Sequence, residues 1–300
     1  MIREERGNPA ENLQLWADAN EAHFRSTIAN CTVERIQIFA EDDDAPVGGP
    51  RLVSTLQNYT MPSGLTDIVL DMSALSIGIS FPAARMLLAY SEARPGLSFH
   101  VMITTDPELD NRISGEPDDR VVNIKGFSGI LSAGDLPTAR IWLPQLAQGR
   151  GAALDRIRGS LDDVYGTCPM LPFPAANPRR ADELITEFGS QLRDDWEVDP
   201  RDLIYVSERN PLDSYRTIST LNQRYDRTVA DVYDPQLVLS PIGSKVMAVG
   251  AMMAAIEHEL PVAYVETVRY DFADTDGDTS ACPYKIVHVW LDGPIYGGFA

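Results

Sequence analysis

The residues best placed to do chemistry lie in one run near the end of the chain, Ser240-Pro241-Ile242-Gly243-Ser244-Lys245. It follows an apolar stretch, Leu237-Val238-Leu239, and precedes a long series of small and apolar residues from Val246 to Ala255. That order reads as strand, tight turn, helix. Gly243 has no Cβ, so a ligand can come close to the backbone. The first amides of the helix have no intrahelical acceptor, and the helix dipole favours an anion there. Ser244 adds a hydroxyl and Lys245 a positive charge. The chemistry such a turn supports is the holding of a phosphate or another anion. An ordinary strand-to-helix turn would read the same way, because such turns recur whether or not they bind anything. The run lacks the GxxxxGK[ST] spacing of a Walker A loop and the GxGxxG spacing of a dinucleotide fingerprint.

Two further loops fall at expected strand ends, where α/β proteins place their ligands. Ser207-Glu208-Arg209-Asn210 precedes a helix, and Asn210 has the residue type and position of its N-cap. Asp71-Met72-Ser73 could offer a carboxylate and a hydroxyl to a sugar or a base edge, although Asp and Ser are also common turn formers. The candidate binding set is therefore Ser240, Gly243, Ser244, Lys245, Ser207, Glu208, Asn210, Asp71 and Ser73. No catalytic set assembles from local motifs: GxSxG is absent, and no Ser/His/Asp or Cys/His grouping can be named. The acidic run Asp274-Thr275-Asp276-Gly277-Asp278 fails the spacing of a calcium loop, with Thr279 where glycine is needed and Lys285 where glutamate is needed. The four histidines and three cysteines are scattered, with no close pair of the kind structural zinc requires. No metal and no cofactor is expected.

The elements that must position these loops follow from periodicity. Helices are expected over residues 9–29, opened by Asn8-Pro9, and over 51–60, 82–92 and 150–161. Two more should start at Asn177-Pro178 and Asn210-Pro211. Strands are expected at 33–39, 66–72, 97–104, 121–124, 139–143, 202–206, 262–266 and 286–291. The 97–104 strand reads as apolar enough to be buried on both faces. Residues 168–174 hold three prolines and are expected as an extended connector rather than a central strand. Strands alternating with helices predict an α/β fold, with a Rossmann-like, mostly parallel sheet and helices on both faces. The polar, turn-rich stretch suggests an N-terminal half over 1–108, a linker over 109–120 and a C-terminal half over 121–300 that carries the turn.

Composition narrows the partners. With 25 basic and 44 acidic residues, the net charge is −19. This argues against a broad face for duplex DNA or RNA while leaving room for one cationic cleft. The charged N-terminus has no apolar signal segment, no apolar run is long enough to cross a bilayer, and cysteine is sparse. A cytoplasmic setting without membrane contact is the expectation.

The Gly243-Ser244-Lys245 turn, leading from a strand into a helix of small residues, resembles the ligand-binding signature of CARF and SAVED domains. These are Rossmann-like sensors of cyclic oligonucleotides in bacterial antiviral systems. The likeness covers the stretch from Ser240 to Gly250, and the chain departs from the pattern at Ile242, where a small residue is common. It implies a nucleotide-sensing role with Gly243, Ser244 and Lys245 at the phosphate, and a loop after an early strand as the other contact. Two alternatives stand beside this. One is an enzyme on a nucleotide or phosphosugar, with Asp71, Glu208 or Asp213 as acid or base. The other is an assembly subunit that meets a protein partner or further copies of itself.

Overall fold

The expected alternation of strand and helix is realised in the computed structural model, which describes residues 1–7, 9–110, 112–130, 136–273 and 284–295. In chain order the elements are β1 (Ile2–Glu5), α1 (Glu11–Thr27), β2 (Glu34–Gln37), α2 (Gly48–Asn58), β3 (Asp67–Asp71), α3 (Ile77–Glu92), β4 (Ser98–Thr105), the short α4 (Pro107–Asp110) and β5 (Ile113–Asn123). There follow β6 (Thr138–Pro144), α5 (Gly151–Ser160), β7 (Val164–Thr167), β8 (Met170–Pro172), α6 (Arg180–Glu187) and β9 (Ile204–Val206). The chain ends with α7 (Pro211–Val229), β10 (Asp234–Ser240), α8 (Lys245–Glu257), β11 (Ala263–Phe272) and β12 (Lys285–Asp292). The Asn8 cap, the acidic run from Asp274 to Asp278 and Cys282 lie outside the described residues.

The architecture is mixed α/β, and parallel pairing predominates. β1 runs parallel to β2, β3 to β4, β6 to both β10 and β7, and β8 to β9. β12 lies antiparallel on β4, and β11 antiparallel on β5. The ladders are small, and single bridges join some of them. Gln145 bridges Met170 in parallel, which sets β8 beside the end of β6. Leu239 bridges Val262 in parallel, which sets β11 beside β10.

β10 shows why its sequence is continuously apolar. Leu237 and Leu239 point into one core with β4 and α8, while Val238 points into a second core with Trp142, Leu154, Phe188 and Trp196. A strand covered on both faces needs apolar residues at every position. The first core draws on side chains from Ile36 to Tyr264, so it joins early and late parts of the chain. α8 is apolar all round because it is enclosed all round. Gly250 lets α7 press against it: a Cβ there would lie 2.2 Å from the Pro211 carbonyl oxygen.

Three expectations change. Residues 109–120 are not a coil. Most of them form β5, whose polar residues pair along β11. Residues 168–174 contain a strand, β8, lying between β9 and the end of β6. The prolines are tolerated because their carbonyls and their neighbours carry the ladder. Ile204 N donates to Pro169 O, and Phe173 N to Val206 O. Finally, β4 is buried on one face alone. Phe99, Val101 and Ile103 are fully enclosed, whereas His100, Met102 and Thr104 face outward beside Trp290 and Val69. On α1, the buried residue is Glu21, which Arg3, Arg25 and Arg35 hold, while Trp16 is half exposed against Phe272.

Candidate functional site

The turn between β10 and α8 is built from the bottom up by hydrogen bonds that fix its backbone. Ser240 is fully buried, and its Oγ accepts the Trp142 indole N–H at 2.9 Å. Gln145 N donates to Ser240 O, tying the end of β6 to the end of β10. Ile242 N closes a tight loop onto Ser240 O. Ser244 is the N-cap of α8: its backbone is extended, and its Oγ accepts from Met247 N. No acidic residue lies in the first turn of α8, so the chain puts no carboxylate of that turn on the positive end of the helix.

Beside this turn stands a side chain that the sequence reading passed over. Gln145 is 1% exposed. Its Nε2 donates to Met247 O at 3.0 Å, which fixes the orientation of the amide. Its Oε1 is buried and has no hydrogen-bond partner. A Cβ on Gly243 would lie 3.2 Å from that oxygen and 2.9 Å from the Gln145 Cβ. Gly243 and Gln145 therefore face each other closely, and the orphaned acceptor looks onto the turn. A buried carbonyl oxygen without a donor costs on the order of 1–3 kcal/mol, so it is a feature that demands a reason.

Lys245 does not project into bulk water. It keeps some residue surface, but its ammonium donates to the Leu75 carbonyl in the loop between β3 and α3. Burial lowers its pKa. Glu4, Asp110 and Glu266 act in the opposite direction, and Arg150 reinforces the burial. Asp110 has solvent-facing surface, yet the protein atoms packed about it raise its carboxyl above the ordinary range. Lys245 and Arg150 oppose that rise, and Asp106 and Glu208 add to it. These groups are near enough to act on one another's charge. Lys245 opens α8 just after β10, Glu208 follows β9, and Asp110 ends the short α4.

A second helix N-terminus, that of α3, follows the Leu75 carbonyl that Lys245 meets. Ser76 precedes α3, and its N–H donates to Glu4 Oε1 at 2.6 Å. Glu4 also pairs with Arg6 at 2.8 Å, and Arg6 reaches Glu266 at 3.0 Å and the Thr267 carbonyl at 2.9 Å. Gly78 in the first turn of α3 lets Glu266 approach: a Cβ there would stand 2.6 Å from Oε2. Burial raises the Glu266 carboxyl, and the Arg6 guanidinium works against that rise. The α3 terminus thus has carboxylates of the chain itself beside it, Glu4 accepting from Ser76 N and Glu266 packed on Gly78, whereas the first turn of α8 has no acidic residue.

Among the residues singled out from sequence, Gly243, Ser244 and Lys245 form the turn, and Glu208 acts on Asp110 through its charge. Glu208 Oε2 also accepts from Ala176 N. Ser240 lies beneath the turn, engaged with Trp142. Asn210 caps α7 through Leu212 N, and Ser207 Oγ accepts from Arg209 N. Asp71 Oδ1 accepts from Ser73 N and Oγ, and Ser73 Oγ accepts from Thr104 N, so this pair ties β3 to β4. Leu75, not Ser73, is what the β3 loop brings to Lys245. Asp213 holds Ser207 N. The residues missed were Gln145, Asp110, Arg150, Glu4, Arg6 and Glu266. Gln145 had a signal, since it follows the 139–143 strand directly. Glu266 had another, as a carboxylate within the apolar run Ala263-Tyr264-Val265. For the rest, nothing local marks them.

Two surface grooves lie elsewhere. One of about 480 Å³ is lined by Gln148, Arg179, Arg180 and Glu187. The other, of about 390 Å³, lies between residues 61–65 and 94–97. Neither includes Gly243 or Lys245. Among the described residues no helix is long and apolar enough to cross a membrane. No protein-family model matches the chain, and no curated protein matches it either.

Proposed function

We propose that this protein binds a nucleotide, or another phosphorylated small molecule, at the crevice between the ends of β6 and β10. The observation that carries the reading is the orphaned Gln145 Oε1, enclosed beside the Gly243 turn at the start of α8. A phosphate alone would not satisfy that oxygen, which needs a donor. A ligand with an anionic group for the α8 terminus and a hydroxyl or N–H group for Gln145 meets both demands, and a nucleoside phosphate has this combination.

The strand arrangement supports the same place. Through the bridges, the strands lie in the order β9, β8, β6, β10, β11. With β7 and β8 taken as one interrupted strand, this reads 3-2-1-4-5 in chain order, which follows the first five places of the doubly wound 3-2-1-4-5-6 order. The crevice between the first and fourth strands is where the order reverses and where such folds hold ligands. Lys245 and Arg150 supply positive charge to a protein that is otherwise strongly acidic. A sensor role of the CARF or SAVED kind accords with the Gly243-Ser244-Lys245 turn.

Thermal shift against mono-, di- and cyclic nucleotides tests the proposal, with Gln145→Leu and Lys245→Ala alongside. The expected result is a shift with the native chain that shrinks in both variants. No shift for any nucleotide, or a shift that both variants keep, would overturn it.

A second reading rests on Asp110, whose carboxyl is pushed up beside Lys245 and Arg150. A raised carboxyl can act as a general acid, so these groups would suit an enzyme on that ligand. Turnover of a labelled nucleotide pool, abolished by Asp110→Asn with binding retained, would favour this reading over a sensor.

A further inference from the structure

The open face of the β3–β4–β12 sheet carries two histidines that the sequence sets 188 residues apart. His100 on β4 lies opposite Trp290 on β12 and Val69 on β3, and His288 lies opposite Met102. Side chains opposite each other across paired strands share a face, so both imidazoles stand on the outer side. His100 Nδ1 and His288 Nε2 are 3.0 Å apart, with ring centroids 5.0 Å apart and planes inclined by 33°. The other ring nitrogen of His100, Nε2, lies 3.2 Å from Asp67 Oδ1. Asp67 also accepts from Thr66 Oγ at 2.7 Å. A carboxylate oxygen accepts, so Asp67 receives the His100 Nε2–H.

This arrangement decides where the lone pairs are. With Nε2 protonated toward Asp67, His100 presents the lone pair of Nδ1 to His288. The facing nitrogen of His288 then either donates its own proton or, in the other tautomer, presents a second lone pair. In that tautomer two imidazole lone pairs stand side by side on nitrogens 3.0 Å apart. Metal–imidazole bonds are about 2.0–2.1 Å long, which puts adjacent ligand nitrogens about 2.9–3.4 Å apart for angles between square and tetrahedral. The observed 3.0 Å separation falls inside that interval, so a small rotation of the rings is enough to aim both nitrogens at one ion. The backbone beneath is held firm, because Phe99, Val101 and Ile103 on the opposite face of β4 are fully buried. A carboxylate behind a metal-bound histidine is also the usual arrangement for fixing its tautomer.

We propose that His100 Nδ1 and His288 Nε2 chelate a divalent first-row transition-metal ion of the kind that favours imidazole, such as Cu²⁺, Ni²⁺ or Zn²⁺, with Asp67 holding His100 from behind. Among the described residues no group of three or more His, Cys, Asp and Glu is placed to hold a metal. The remaining coordination positions therefore fall to water or to an incoming ligand.

The test uses the full chain, stripped of metal, titrated with Cu²⁺ and with Zn²⁺ by calorimetry and, for Cu²⁺, by electron paramagnetic resonance. One equivalent should bind, with nitrogen hyperfine structure from two imidazoles in the copper spectrum. His288→Ala changes an exposed side chain, so the fold should survive, and the affinity should fall at least about tenfold with loss of the two-nitrogen pattern. Asp67→Asn should keep that pattern and weaken binding by about tenfold. Absence of saturable one-to-one binding, or a copper spectrum and affinity that His288→Ala leaves unchanged, would overturn the site. An unchanged affinity in Asp67→Asn would overturn the positioning role given to Asp67.

Discussion

Gly243→Ala separates packing from ligand approach at the turn. The added methyl carbon would lie 2.9 Å from the Gln145 Cβ, 3.2 Å from its Oε1 and 3.7 Å from the Met247 Cε. Gly243 is not among the residues with positive φ, so alanine can take its backbone conformation. Removing a glycine then stabilises by about 0.4–1 kcal/mol through the unfolded chain. Against this stands crowding. The tightest contact is with a Cβ, which cannot swing away, and Gln145 is anchored by its backbone bond to Ser240 O. Overpacking of this degree costs about 1–3 kcal/mol. The net expectation is a loss of about 1 kcal/mol, or about 2 °C in Tm for a chain of this size. Binding should suffer as well, because the methyl would crowd the Gln145 oxygen beside the α8 terminus. A tenfold loss of nucleotide affinity corresponds to about 1.4 kcal/mol, and at least that is expected. Calorimetric titration with the nucleotide that gives the largest thermal shift, paired with differential scanning calorimetry, measures both quantities on one sample. A variant that binds that nucleotide as tightly as the native chain would refute the reasoning.

Three other outcomes follow from the same geometry. Asp110 and Glu266 both have raised carboxyl pKa values, so an anion binding near them should raise them further and draw in protons. Affinity should then increase as pH falls from neutral toward those raised values, and titration heats should differ between buffers of unequal ionisation enthalpy. Lys245 has a lowered pKa in the fold, so its charge opposes folding below that value. As pH rises from the folded value toward 10.5, its contribution to stability should improve, and urea titrations of Lys245→Met should lack that part of the alkaline slope. Gly250→Ala would place a carbon 2.2 Å from the Pro211 carbonyl oxygen and 2.7 Å from the Ser214 Cβ. Backbone on α7 must shift, so a loss of about 3 kcal/mol is expected, offset by up to about 1 kcal/mol of helix propensity. A midpoint in urea equal to that of the native chain would show that the two helices are not held as described.

The sequence by itself determined most of the helices and many of the strands, and the strand–turn–helix form of the Gly243 stretch. Both are local properties. Apolar periodicity fixes which backbone can bury its residues, Ser244 caps the helix it precedes, and Asn210 caps α7 through its own loop. The same local reasoning failed at β5 and β8, where strand pairing came from partners distant in the chain: β11 for the one, β9 and the end of β6 for the other. A polar or proline-bearing segment carries no strand signal until a neighbour takes its hydrogen bonds. Tertiary structure alone decided what surrounds the turn. In sequence Lys245 is a positive charge of the turn, yet in the fold it reaches Leu75 and feels the charges of Glu4, Asp110 and Glu266. Gln145 becomes informative only because Met247 fixes its amide and nothing satisfies its oxygen. His100 and His288 were read as scattered because no local spacing pairs them. The register of β12 on β4, set by which face of β4 could be buried, brings their ring nitrogens to 3.0 Å.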